Sequence, residues 1–139
     1  MLTTFDIRMT RPNFEPVMNT AEIHAIEHLG ATFLRNHKDF ASKTIYFGPM
    51  GCRTGFYLIV RQAAGEDTDT LNASVLAALR EALADITAHT GAVPGAHRRE
   101  CGNYRCLSLA AAKAEAEKYL AVLDSRPQTF IYEKQEKGI

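Results

Sequence analysis

The sequence predicts an α+β fold, an antiparallel sheet packed against about three helices in a single domain over residues 1–139. Two patterns predict it. Three segments repeat apolar residues at the helical period. At least three short stretches are β-rich and end at Gly, Pro or Asn signals. The two kinds of element fall in separated groups, which favours α+β over a βαβ array. A chain of 139 residues suits one core.

The first strand reads from Thr3 to Thr10, with Phe5, Ile7 and Met9 on one side, and stops at Arg11-Pro12-Asn13. A loop with Pro12 and Pro16 follows. Asn19 or Thr20 caps a helix that carries Glu22 in its first turn. Ile23, Ile26, Leu29, Phe33 and Leu34 continue it to about Asn36. Thr44 to Phe47 and Gly55 to Val60 are the next strands, joined by the glycine-bearing turn Gly48 to Thr54. Ala63 to Asp67 is a polar turn. Leu71, Val75, Leu76, Leu79, Leu83 and Ile86 place a second helix at about Asp69 to His89, with Gly91 as its stop. Gly91 to Asn103 reads as loop. Ser108 caps a third helix, "LAAAKAEAEKYLAVL", rich in good helix formers. The tail from Asp124 is charged, with an apolar patch at Phe130-Ile131-Tyr132.

Apolar residues at 46% and charged residues at 23% are a globular mix. Sixteen basic residues balance sixteen acidic ones. That leaves no electrostatic footprint for nucleic acid or an anionic membrane, and a neutral surface is compatible with self-association. No apolar run approaches the roughly 20 residues that span a bilayer. The N-terminus lacks the basic and apolar regions of a signal peptide. With three cysteines, Cys52, Cys101 and Cys106, an odd count points to reduced thiols in the cytoplasm.

His24, Glu27 and His28 carry the first chemical signal. At about 100° per residue, His28 lies about 40° from His24 and Glu27 about 60° to the other side, so all three share a helix face. Two imidazoles one turn apart can hold one metal ion, and the carboxylate beside them can handle a proton. The same residues also suit an exposed polar face. Ile23, Ile26 and Leu29 flank them, however, so the group lies near the apolar face, where polar side chains need partners. A catalytic site needs a third protein ligand. His37, His89, His97 and the three cysteines are candidates, and spacing alone does not choose Cys101 over His97. His37 and His89 sit near helix C-termini, where surface roles dominate. Cys106 reads as a small packing residue. Cys52 sits in a glycine turn before Arg53, where a cation and free backbone N–H groups favour a thiolate; a buried structural cysteine is the alternative.

Four segments in order, "FDIRMTRPN" from Phe5, "HAIEHLGA" from His24, "PMGCRTGFY" from Pro49 and "ECGN" from Glu100, resemble the LuxS family of S-ribosylhomocysteine lyases. The resemblance spans nearly the whole chain, and "PMGCRTGFY" is its most specific part. It implies a metal held by His24, His28 and Cys101, one divalent ion per subunit, with Fe(II) as the native metal and Zn(II) or Co(II) as substitutes. It implies catalytic roles for Cys52 and Glu27, and substrate contacts for Arg8 and Arg35. It further implies a cytoplasmic homodimer with sites near the interface, and no nucleic-acid or membrane partner. The implied reaction moves the sugar carbonyl of S-ribosylhomocysteine from C1 to C2 to C3. Loss of the C4 proton then expels homocysteine from C5 and leaves 4,5-dihydroxy-2,3-pentanedione, the autoinducer-2 precursor. Two departures stand out. Family members carry a longer N-terminal segment before "FDIR", where this chain has Met1 to Thr4. They also carry an acidic residue shortly before "PMGC", where this chain has Tyr46-Phe47-Gly48.

Two other readings use the same residues. H-x-x-E-H is the order of inverted-motif zinc peptidases, which need a downstream helical glutamate such as Glu81 or Glu115 and give Cys52 no role. A non-enzymatic metal-binding domain would instead close the ion with four ligands.

Overall fold

The structure is a computed structural model and describes residues 1–125. The patch at Phe130 to Tyr132 therefore lies outside the described residues. The elements run β1 (Leu2–Arg8), α1 (Thr20–Asn36), β2 (Thr44–Pro49), β3 (Gly55–Arg61), α2 (Thr68–Ala88) and α3 (Leu109–Ser125). Three helices and one three-stranded antiparallel sheet make the α+β domain that the sequence predicts.

β3 is the central strand, in the order β1-β3-β2, antiparallel to both neighbours. The register sets Ile7 opposite Phe56 and Arg8 opposite Gly55, and Phe47 opposite Leu58. β1 was expected to reach Thr10 but ends at Arg8. The N–H groups of Met9 and Thr10 both donate to the carbonyl of Thr54, at 2.9 and 3.0 Å, so the regular ladder cannot continue.

The inner face of the sheet carries Ile7, Phe56, Leu58 and Val60, all buried. It packs on Ile26 and Leu34 of α1 and on Leu83 and Ile86 of α2. α3 completes the helical layer with Ala112, Ala116, Tyr119 and Leu123. Burying a side chain of this size stabilises by roughly 1.5–3 kcal/mol. The outer face has no helix on it among the described residues. There Leu2, Tyr46 and Tyr57 are 58, 49 and 41% exposed.

Local chemistry fixes the helix starts. Glu22 accepts from the backbone N–H and the Nδ2 of Asn19, at 2.9 and 3.0 Å, so α1 begins where a helix N-terminus is satisfied. α2 starts at Thr68, one residue before the expected point, because Asp67 caps it by accepting from the N–H and hydroxyl of Thr70. Ser108 caps α3 as expected, accepting from the N–H of Ala111 at 3.2 Å. Its own N–H donates to the carbonyl of Ala21 at 3.1 Å, which ties the start of α3 to the start of α1.

Gly30 sets how close α1 lies to β2. A Cβ there would meet the ring of Phe47 at 2.6 Å. That ring stacks on Phe56, with centroids 5.1 Å apart and planes 5° from parallel.

Candidate active site

His24 and His28 stand one turn apart on α1, and the chain bearing "ECGN" folds over them. The Nδ1–H of His24 donates to the carbonyl of Cys106 at 2.7 Å, and that of His28 to the carbonyl of Pro94 at 2.9 Å. A carbonyl only accepts, so these partners place a proton on Nδ1 of both rings and turn both Nε2 atoms toward Cys101. The two Nε2 atoms are 3.0 Å apart. The sulfur of Cys101 lies 3.3 Å from Nε2 of His24, and the three donor atoms lie within 4.8 Å of one another, half-buried. The two Nε2 atoms and the sulfur thus converge on one point, and two imidazole nitrogens with a thiol sulfur are a donor set that fits a divalent metal.

Gly95 permits the close passage of the loop. Its φ is +75°, and a Cβ there would stand 2.8 Å from Nδ1 of His28. Spacing left the third candidate donor open, and the structure brings one thiol to the pair. Cys101 joins the histidines. His97 stays outside, its Nδ1 accepting from the N–H of Arg99 at 3.2 Å and its carbonyl from Glu100 and Cys101. His37 faces Glu81 at 3.1 Å, and His89 faces the carbonyl of Ala92 at 2.9 Å. Among the described residues no glutamate enters the donor cluster, which leaves the peptidase reading without its third ligand there. A cavity of about 770 Å³ opens beside His28, lined by Glu27, Arg35, Phe47 and Glu100. The site is therefore unlike a closed structural one. Glu100 is a lining group that the sequence reading passed over; its position directly before Cys101 was the available signal.

Cys52 belongs to a different group. Its exposed sulfur lies 3.0 Å from the hydroxyl of Thr54. Nη1 of Arg8 donates to that hydroxyl at 2.8 Å and stands 4.0 Å from the sulfur. Asp6 holds the guanidinium by two contacts, at 3.1 and 2.7 Å, and raises its pKa further. The hydrogen bond from the Thr54 side chain holds the Cys52 thiol below its ordinary range, helped by the backbone of Thr54, opposed by burial, and helped further by the charge of Arg8. The expected cation was Arg53. It occupies the turn with φ 62° and donates its N–H to the carbonyl of Met50 at 3.0 Å, but the charge acting on Cys52 is that of Arg8. The pairing of Arg8 with Gly55 brings that side chain to the turn.

The two groups stay separate within one chain. Among the described residues, neither Cys52 nor Arg8 lines the cavity beside His28. Arg35 does line it, four residues beyond Ala31 on the face that bears Glu27 and His28.

A sequence profile described as S-Ribosylhomocysteinase (LuxS) matches residues 1–129. The chain is 57% identical over 120 residues to an S-ribosylhomocysteine lyase of Clostridium beijerinckii, covering 86% of this chain and 72% of that one. It is 50% identical over 134 residues to an S-ribosylhomocysteine lyase of Finegoldia magna, covering 95% and 80%. A third lyase of that name, from Borreliella burgdorferi, is 43% identical over 125 residues, covering 90% and 76%.

Proposed function

The chain belongs to the S-ribosylhomocysteinase (LuxS) family, and we propose that its two side-chain groups divide the family's reaction between them. The chain is an S-ribosylhomocysteine lyase, an activity that forms the autoinducer-2 precursor used in quorum sensing. The observation that carries the assignment of the site is the convergence of His24, His28 and Cys101 beside a cavity lined by Glu27 and Arg35.

His24, His28 and Cys101 hold one divalent ion, Fe(II) in the native enzyme, with Zn(II) or Co(II) able to replace it. When bound, the ion supplies Lewis-acid polarisation of sugar oxygens. Glu27 moves protons on the sugar's oxygens and serves the final elimination, because its carboxylate lines the cavity. Cys52, held below the usual thiol range, takes and returns protons on carbon as the carbonyl moves from C1 to C3. Removal of the C4 proton then sends the electron pair into a C4–C5 double bond, and homocysteine leaves C5 as a thiolate. Arg35 and Arg8 hold the polar ends of the substrate.

Cys52 meets this cavity in a homodimer. Support comes from the outer sheet face, where Leu2, Tyr46 and Tyr57 are exposed. Arg8 shares that face by strand alternation, and its guanidinium reaches the Cys52 group. Pairing that face with a second copy covers apolar area and lets each copy complete the other's cavity.

The test is anaerobic. Metal-analysed protein receives S-ribosylhomocysteine, and new free thiol is measured as homocysteine appears. We expect stoichiometric thiol release. Folded, metal-loaded protein that releases none overturns the assignment. Among the described residues no helix is long and apolar enough to cross a membrane.

A further inference from the structure

We propose that Thr54 is a positioning residue for Cys52, its hydroxyl locked so that its one proton points at the sulfur. The inference rests on the reading of Cys52 as a reacting group, and its direction follows from donor arithmetic. Arginine only donates. Nη1 of Arg8 lies 2.8 Å from Oγ1 of Thr54, so the oxygen must accept there. The sulfur of Cys52 is the hydroxyl's other neighbour, at 3.0 Å, and as a thiolate it can only accept, so the hydroxyl's single proton points to it. A donor aimed at sulfur favours the thiolate over the thiol.

The backbone holds this arrangement in place. Thr54 is 3% exposed, and its carbonyl accepts from both Met9 and Thr10. Its branched Cβ restricts χ1, so the hydroxyl cannot swing out to water. Arg8 is in turn fixed by Asp6. The direct path from guanidinium to sulfur is 4.0 Å, at the outer limit of a bond to sulfur, whereas the path through Thr54 has two ordinary contacts. Thr54 thus passes the influence of Arg8 on to Cys52. The other ionisable groups near the turn are Asp6 and Tyr57, which act on Arg8, and Arg53, next to Cys52 in the chain. None of these supplies a hydrogen bond to the sulfur.

The experiment follows alkylation of Cys52 by iodoacetamide against pH, in full-length metal-loaded protein, with modification counted on the Cys52 peptide by mass spectrometry. Thr54→Val removes the hydroxyl while keeping the side chain's shape, and Thr54→Ser keeps the hydroxyl. We expect Thr54→Val to raise the reactivity midpoint by about one pH unit, a tenfold loss of thiolate at a fixed pH below the midpoint. Thr54→Ser should hold the wild-type midpoint to within about 0.3 unit on the same scale. Where Thr54→Val does not fold, by circular dichroism and metal content, Thr54→Ala takes its place. A hydroxyl-free variant that folds and titrates like wild type overturns the proposal. So does a serine variant shifted as far as valine. The acid limb of kcat/KM is measured alongside. If alkylation shifts and that limb does not, Thr54 keeps its role, and it is the assignment of carbon-proton chemistry to Cys52 that fails.

Discussion

The metal cluster and the Cys52 turn are held by opposite means. Around His24 and His28, the orienting groups are backbone carbonyls, those of Cys106 and Pro94. Around Cys52 they are side chains, Thr54 and Arg8, with Asp6 behind. Carbonyls do not titrate, and no substitution deletes them. The histidine tautomers are therefore fixed by the path of the chain. The state of Cys52 is set first by the Thr54 side chain, with Arg8 and Asp6 behind it and the backbone of Thr54 assisting, so replaceable side chains have the larger share. A binding site gains from the first arrangement, since a ligand must always present the same lone pair. A proton carrier gains from the second, since its ionisation can be tuned without moving the fold.

The largest expected effect separates the two regions outright. Cys101→Ala or His28→Ala should lower bound metal from about one per chain to below about a tenth, and turnover by about 10³-fold or more. Elemental analysis and thiol release check both. Cys52→Ala should leave bound metal unchanged and lower turnover by about 10²–10⁴-fold, the scale of a lost proton-transfer group. Loss of metal in that variant would break the division.

Mixing sharpens it further. A dimer of one Cys52→Ala chain with one Cys101→Ala chain carries one doubly damaged site and one intact site, if each site draws on both copies. We expect it to recover up to about half of the wild-type activity, since only one of two sites survives. Isolated mixed dimers with no activity would place Cys52 and the metal in the same copy.

Arg35→Met, in the cavity wall, should raise KM about tenfold with a smaller change in kcat, as expected of a binding contact worth about 1.4 kcal/mol. Acidification acts on the Cys52 turn. Its thiolate is present above a depressed pKa and is lost as pH falls through it. The acid limb of kcat/KM should then lie below the ordinary thiol value of about 8.5. The smallest effect is on stability. Gly30→Ala in a helix interior ordinarily helps by about 0.5–1 kcal/mol. Here the new methyl meets Phe47 at 2.6 Å, so denaturant melts should show a loss of about 1–3 kcal/mol, the usual cost of overpacking.

Much of this was legible in the sequence where the cause is local. Asn19 with Glu22 marked the start of α1, and the i, i+4 histidines on that helix had to face one another. The continuous apolar run from Gly55 to Val60 gave the strand that lies at the centre of the sheet. The third member of the donor cluster was not legible from spacing, because Cys101 lies 77 residues from His24 and reaches it through a loop shaped by Gly95. Nor was the partner of Cys52. Adjacency pointed to Arg53, whereas strand register delivered Arg8 from 44 residues away. Thr54 was visible inside "PMGCRTGFY" as a residue but not as a bridge, since a bridge depends on what approaches from the other strand.

Phe47 has a consequence for how this enzyme can change. One side of its ring is part of the hydrophobic core, stacked on Phe56 and pressed against Gly30. The other side walls the cavity beside Glu27 and His28. Any substitution that widens the cavity there also removes core packing. Phe47 is half-buried, so the loss is a fraction of the roughly 3–5 kcal/mol of a fully buried Phe→Ala, against a total stability of only about 5–15 kcal/mol. New substrates for this scaffold are therefore more accessible by changing Thr32, Arg35 or Glu100, whose side chains owe the core little, than by trimming the aromatic wall. The breadth of its chemistry is limited by what its folding can spare.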